Sequence, residues 1–312
     1  MKHYSVMCQE VLEHLELKPG DRVLDCTVGG AGHSSAMLAR IGPNGFLWGI
    51  ERDPRTLSLA QETLTQTGYP FRLIHGNFAE LSHYSQEYKI ANLDAVLLDL
   101  GTSIFQLREA QRGFSFSSDG PLDMRMNPDE DRPSAAELVN HLSEAKLKEI
   151  FSTLGEERFS GRIASAIVKA RLTQPIERTV QLAEIVAEAV PKRDKLHPAT
   201  RVFQALRIAV NDELEAIRQV LPVAVSLLKP GGKIAVIAFH SLEDRIVKQS
   251  FRQMSQDCIC PPRQPICNCQ HQALLARSGK AMTPSEQEIR ENSPSRSAKL
   301  RIARRLTQVS EL

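Results

Sequence analysis

The sequence predicts an α/β protein, a parallel sheet covered on both faces with an all-helical domain inserted into it. Three observations predict this. Short β-rich runs alternate with helical stretches over roughly the first hundred residues, as in successive βαβ units. The periodicity then turns wholly helical between about 105 and 200, and a further strand-like run appears only at Lys233.

The elements follow in order. Strands are expected at RVLDCTV (22–28), FLWGI (46–50), FRLIH (71–75) and LDAVLLDL (93–100), with helices beginning near His33, Asp53 and Phe78. AVLLDL is almost continuously apolar, as a strand buried on both faces must be. Helix starts are marked by Pro133-Ser134 before AAELVNHL and by Glu177–Thr179 before VQLAEIVAEAV. KPGG (229–232) reads as a helix stop ahead of the strand KIAVIAFH, and SAKLRIARRL (297–306) reads as a last, antiparallel strand. The expected domains are therefore 1–105 with 206–312 as the sheet domain, and 106–205 as the helical insertion. Insertions gather where strands end and ligands bind, because a rigid scaffold carries the loops there.

Composition narrows the function classes. The 312 residues carry 39 basic and 37 acidic side chains, a net charge of +2, so any surface for a polyanion must be local rather than global. No run approaches the roughly 18 apolar residues of a membrane span, and His and Glu enter the N-terminus too early for a secretory signal. Four of the six cysteines fall within Cys258–Cys269, unlike the spaced framework of a secreted scaffold. A cytoplasmic, reduced setting without membrane contact is expected.

The strongest local signal is Asp25-Cys-Thr-Val-Gly-Gly-Ala-Gly-His33, which follows the first strand and opens a helix. Its glycines serve either a plain structural turn or a close backbone approach to a ligand. The spacing is not G-x-G-x-x-G, and no Lys-Ser/Thr follows, which disfavours a phosphate cradle. About twenty residues on, the second strand ends in Glu51-Arg-Asp53-Pro. Glu51 stands where a ribose would lie, while Asp53 before Pro54 reads as a helix N-cap. Phe78 is either core or a partner for adenine, and Asp99 ends the fourth strand. Glycines, an acid, an aromatic and a second acid thus converge on one sheet edge, which points to an adenosine with a non-phosphate tail.

The segments TVGGAGHS (27–34), IERDP (50–54), HGNF (75–78), LLDLG (97–101), RGFSF (112–116), DGPLDMRM (119–126), GEERF (155–159), HPATRVFQALRI (197–208) and FHSLEDRIVK (239–248) resemble the bacterial 16S ribosomal RNA cytosine-N(4) methyltransferases, the MraW or type H family. The resemblance runs from about residue 3 to about 306. It implies a class I (Rossmann-like) methyltransferase sheet, S-adenosyl-L-methionine as cofactor, and 16S rRNA, in the small ribosomal subunit, as partner. The reaction implied is methylation of the exocyclic amine of a cytidine in the decoding region. Carried over residue by residue, the cofactor contacts fall on Ala31, Gly32, His33, Glu51, Phe78, Asp99 and Gln106. The family usually has glycine where Ala31 stands, aspartate where Glu51 stands, and Ser-Pro where Ile104-Phe105 stands. A homodimer is among the assemblies left open.

A sulfonium methyl is already activated, so this chemistry calls for no catalytic metal; the demand is alignment of acceptor, methyl carbon and leaving sulfur. The cytosine amine donates its lone pair into the ring and needs hydrogen-bond acceptors to become nucleophilic. Asp99 is the acceptor best placed by position, the alternative being that it fixes the loop after it. The D/N/S-P-P-aromatic tetrapeptide of many DNA amine methyltransferases is absent, the stretch here being Asp99-Leu-Gly-Thr. Asp123 and Arg125, at the entry to the insertion, and His240 and Ser241, after the fifth strand, are candidates for positioning the base or its ribose. Read as one helix, GEERFSGRIASAIVKAR aligns Arg158, Arg162 and Lys169 along one face, either for phosphates or as a solvated surface. Cys258, Cys260, Cys267 and Cys269 are either free thiols or ligands of a structural zinc, the C-x-C pairs being tighter than the usual knuckle. Competing functions are a ribosome-assembly factor that binds S-adenosylmethionine without catalysis and a methyltransferase acting on DNA or a small molecule.

Overall fold

A computed structural model describes residues 5–191, 197–261, 264, 266–276 and 279–307. The chain divides into a sheet unit, 1–101 with 214–312, and a helical unit, 102–213.

The sheet unit begins with α1 (Cys8–Leu15), which buries Val11 and Leu15 on one face. There follow β1 (Arg22–Asp25), α2 (Gly32–Ile41), β2 (Phe46–Glu51), α3 (Pro54–Thr65), β3 (Phe71–His75), α4 (Leu81–Glu87) and β4 (Leu93–Asp99). β1 is shorter than its apolar run suggests. It stops at Asp25 because Thr27 to Ala31 turn over it, with Gly29 and Ala31 both left-handed at φ 53° and 63°. Asp53 caps α3 as expected, accepting from the Arg55 N–H with Pro54 next in line. The third helical start is a single 3₁₀ turn at Phe78–Glu80, and the α-helix proper begins at Leu81.

The helical unit holds α5 (Ile104–Arg108), α6 (Ala135–His141), α7 (Glu144–Thr153), α8 (Ser160–Arg171), α9 (Thr179–Ala189) and α10 (Ala199–Asn211). Ser134 and Glu137 close a capping box that starts α6. α8 buries Ser160, Ile163, Ala164 and Ile167, the i, i+3, i+4, i+7 stripe of a helix packed on one side, and lies against α7 and α9. The core of this unit is its own, built on Phe151, Leu147, Ile167, Leu182, Val186 and Leu206 among others. It extends further than the sequence suggests. The divide falls after Gly101 and Glu213 rather than at 105 and 205, because α10 commits Val202, Phe203, Leu206 and Val210 to the helical core.

The chain returns through α11 (Glu213–Leu227) to β5 (Leu228–Ala238), α12 (Ser241–Met254), α13 (Glu286–Glu291) and β6 (Lys299–Arg304). KPGG does not merely end α11. It lies inside β5, where the register against β4 shifts between Leu93 and Ala95 and Gly231 takes φ 83°. The sheet order is β3-β2-β1-β4-β5-β6, parallel except for antiparallel β6, which is a Rossmann-like doubly wound arrangement. Among the described residues no helix is long and apolar enough to cross a membrane.

Candidate functional site

Register brings the carboxyl ends of the parallel strands level. Asp25 pairs with Gly49 and Leu97, Glu51 with His75, and Asp99 with Ile237. Backbone bonds continue the alignment past the strand ends: Cys26 N–H donates to Leu97 O, Val28 N–H to Ile50 O, Gly76 N–H to Glu51 O and Leu100 N–H to Ile237 O. Close approach has a residue cost here. A Cβ on Gly49 would sit 2.5 Å from Val28 Cγ2, so the glycine lets the turn after β1 lie on β2.

Asp25, fully buried, organises that turn. Its Oδ2 accepts from Ser34 Oγ at 2.6 Å and its Oδ1 from the Thr27 N–H at 3.0 Å. Burial raises its pKa, against the Ser34 hydroxyl and His33, which favour the charged form. Thr27 in turn takes the Asp99 N–H on its Oγ1 at 2.6 Å, tying β1 to β4. The sequence motifs contain Asp25, Thr27 and Ser34 but assign them no role; the signal for one was a polar residue at the end of a buried strand with two hydroxyls within nine positions.

Ala31 caps α2 with left-handed backbone, a conformation that favours glycine. Gly32 is the first helical residue and His33 the second. The His33 ring is buried with Nε2 3.0 Å from Val6 O and Nδ1 3.4 Å from Asp99 Oδ2. Burial alone would lower its pKa, but the Asp99 carboxylate on one side and the Val6 carbonyl on the other outweigh it and raise the value. An imidazolium satisfies both acceptors, whereas a neutral ring could donate to only one. The Val6 contact shows that the segment before α1 belongs to this edge, which the motif reading did not reveal.

Asp99 itself is partly buried, and while Oδ2 faces His33, Oδ1 is buried with no hydrogen-bond partner. Such an atom is costly to leave unsatisfied. Glu51 accepts from the Gly29 N–H on Oε2 and from the Asp53 N–H on Oε1, both at 2.8 Å. Burial nevertheless pushes its carboxyl up to about 7, the two N–H donors opposing. Phe78 follows Asn77, which caps the 3₁₀ turn, and is partly buried. The edge thus gathers carboxylates at Asp25, Glu51, Asp53 and Asp99, with Arg52 between the middle two. Those acceptors suit the hydroxyl donors of a nucleoside and a cationic tail.

His240 is the N-cap of α12, its Nδ1 3.5 Å from the Glu243 N–H, and Glu243 Oε2 takes the Phe239 N–H at 2.8 Å. His240 Nε2 lies 3.1 Å from Glu243 Oε1 without the alignment of a hydrogen bond, so the ring serves first as a helix cap. Ser241 is exposed at the first helical position.

In the helical unit, Gln106 is buried and closes a capping box with Ser103 at the start of α5. Asp123 and Arg125 grip each other, Nε to Oδ1 at 2.9 Å and Nη2 to Oδ2 at 2.8 Å. Burial works to raise the Asp123 pKa, but Arg125 prevails and holds it below the usual range. Their segment is fixed from two sides: Arg112 Nη2 donates to Arg125 O and Met126 O, and Asn211 bonds Met124 O and the Met126 N–H. Neither Arg112 nor Asn211 stood out in the sequence; a lone buried Asn closing an apolar helix was the available sign. One expectation is corrected. α8 begins at Ser160, so Arg158 lies in the preceding turn, and only Arg162 and Lys169 share the helix. Glu156, at φ 48°, breaks the expected run. All three cations are exposed, and among the described residues none is in an ion pair. Back in the sheet unit, Cys258, Cys260, Cys267 and Cys269 come together, their sulfurs all within 4.8 Å of one another.

Residues 1–306 match the family described as the MraW methylase family. The chain is 51% identical over 311 residues to ribosomal RNA small subunit methyltransferase H of Syntrophotalea carbinolica, covering 98% of each chain. It is 48% identical to the proteins of that name from Trichlorobacter lovleyi, covering 97% of this chain and 98% of the relative, and Geobacter sulfurreducens, covering 97% and 99%.

Proposed function

Since the chain belongs to the MraW methylase family, we propose that it transfers the methyl group of S-adenosyl-L-methionine to the exocyclic N4 amine of a cytidine in the decoding region of 16S rRNA. When bound, that cofactor supplies a methyl carbon already activated by its sulfonium. The observation that carries the reading is Asp99, with one carboxylate oxygen facing His33 and the other buried without a donor at the end of β4. The Asp99 side chain, 23% exposed at the strand end, would accept an amine N–H of the cytosine. Holding that proton draws the nitrogen lone pair out of the ring, and fixing the geometry contributes about 7–11 kcal/mol to lowering a two-body barrier.

Around Asp99, the left-handed turn through Gly29 and Ala31 and the backbone of Gly32 and His33 would hold the cofactor's tail. Glu51 would accept from the ribose hydroxyls and Phe78 would pack on the adenine, with Gln106 a further contact. Asp123, Arg125, His240 and Ser241 would position the target nucleotide. Arg158, Arg162 and Lys169 would take up backbone phosphates while the base leaves its stack. The relatives' shared name supports the small ribosomal subunit as the setting.

The test is to incubate the protein with methyl-labelled S-adenosylmethionine and unmethylated small subunits, naked ribosomal RNA or DNA, then digest to nucleosides. Label in N4-methylcytidine from subunits or ribosomal RNA is the expected result. Label in another nucleoside or in DNA would reject the substrate, and cofactor binding without any label would reject catalysis.

A further inference from the structure

α12 ends at Met254, and among the described residues no helix or strand forms again until α13. The excursion closes on itself at its base. The N–H groups of Leu274 and Leu275 both donate to Met254 O, Ala276 N–H donates to Arg304 O, and buried Leu275 pegs the return to the core. His271 Nε2 adds a 3.0 Å bond to Gln253 O. Beyond the base, apolar burial does not hold the described residues: Ile259 is 42% and Ile266 80% exposed. A connection of this length whose described residues bury little apolar surface needs another source of stabilisation to offset chain entropy.

The tip supplies four sulfurs instead. Cys267 Sγ lies 3.6 Å from Cys269 Sγ, Cys260 Sγ 3.8 Å from Cys267 Sγ, and Cys258 Sγ 3.9 Å from Cys269 Sγ. A tetrahedron with zinc–sulfur bonds of about 2.3 Å has edges of about 3.8 Å. The separations are nearly twice the roughly 2.05 Å of a disulfide. A second feature points the same way: the Cys260 N–H is directed at Cys258 Sγ at 3.4 Å, and the Ile259 N–H at Cys269 Sγ at 3.5 Å. Backbone donors aimed at sulfur stabilise thiolates, the form in which cysteine binds metal.

We propose that Cys258, Cys260, Cys267 and Cys269 hold one zinc ion in a closed tetrahedral site that fixes the segment between α12 and α13. Four soft thiolates select zinc over hard cations, and with every position filled by protein the ion is structural rather than catalytic. Binding expels the thiol protons, so affinity falls as pH is lowered. The site stands independently of the methyl-transfer reading.

The test is metal analysis of the full chain purified without chelator. One zinc per chain is expected, released in step with mercurial modification of four thiols. Cobalt substituted for it should give the intense visible bands of a tetrahedral thiolate complex. Cys260→Ser and Cys269→Ser should lose the metal, while Cys8→Ser and Cys26→Ser should keep it. Stripping the ion from wild type should speed proteolysis within 255–274, a readout that survives if the serine variants fail to fold. Metal-free protein with four reactive thiols, two disulfides found by mass, or iron in place of zinc would each overturn the proposal.

Discussion

The two units carry opposite local chemistry. At the strand ends of the sheet unit, Asp25, Glu51 and Asp99 gather with the His33 imidazole beside Asp99, whereas the helical unit exposes Arg158, Arg162 and Lys169 outside any ion pair among its described residues. A net charge of +2 averages these away. The lesson is that whole-chain charge cannot report on recognition when acidic and basic groups are held in separate parts of a chain.

The contrast can be broken most severely at Asp99. Asp99→Asn should reduce methyl transfer by about 10²–10³-fold while weakening cofactor affinity much less, since an amide presents a donor where the amine requires an acceptor. Single-turnover rates alongside calorimetric cofactor affinity check this. Equal losses in both would confine Asp99 to the cofactor.

Glu51 sharpens the comparison through pH. Its carboxyl, lifted to about 7, titrates close to neutral pH without ligand, and donation from the proposed ribose hydroxyls would favour the ionised form. Binding should therefore release a proton, and affinity should fall by up to about tenfold per pH unit below 7. Calorimetry in buffers of different ionisation enthalpy reads the proton, and Glu51→Gln should abolish the dependence. The cofactor-free protein responds in the opposite sense. A raised glutamate pKa means the folded state holds the extra proton between its unfolded value and 7. The raised His33 pKa likewise contributes stability present below its unfolded value and lost as pH rises through the folded one. Melting temperature without ligand should rise as pH is lowered from about 8 to about 6.

On the cationic side, replacing Arg158, Arg162 and Lys169 together with Ala should flatten the logarithmic salt dependence of RNA binding by about 2, at roughly 0.7 per single-strand phosphate contact. Filter binding across a salt series measures it, and an unchanged slope would remove these residues from the RNA surface. The smallest effect is expected at Ala31. Its left-handed backbone makes Ala31→Gly stabilising by about 0.5–1 kcal/mol, the strain relieved exceeding the added freedom of the unfolded chain, as read by denaturant midpoint.

The strands, the helical insertion and the Asp53 cap were legible because each is written in local periodicity or capping chemistry. Glycine at 29 likewise marked its turn. What stayed hidden is what depends on register across the sheet. Asp25, Thr27 and Asp99 form one hydrogen-bonded chain only because β1 and β4 are neighbours, and Val6 meets His33 from 27 positions away. The placement of Arg158 failed for a local reason: a left-handed Glu156 and the turn at Arg158 delay a helix whose composition alone favours an earlier start.

The interrupted sheet carries a consequence for biosynthesis. β4 is synthesised long before β5, its parallel neighbour, because about 130 residues intervene, and at roughly 5–20 residues per second that wait is on the order of 10 s. Meanwhile the half-built sheet presents an almost wholly apolar strand with one side unpaired, while the helical unit, with a separate core, can collapse on the nascent chain. Arrival of β5, itself covered by β6, is then the step that seals this sticky margin, and slowing translation between the two strands should raise aggregation more than slowing it anywhere later.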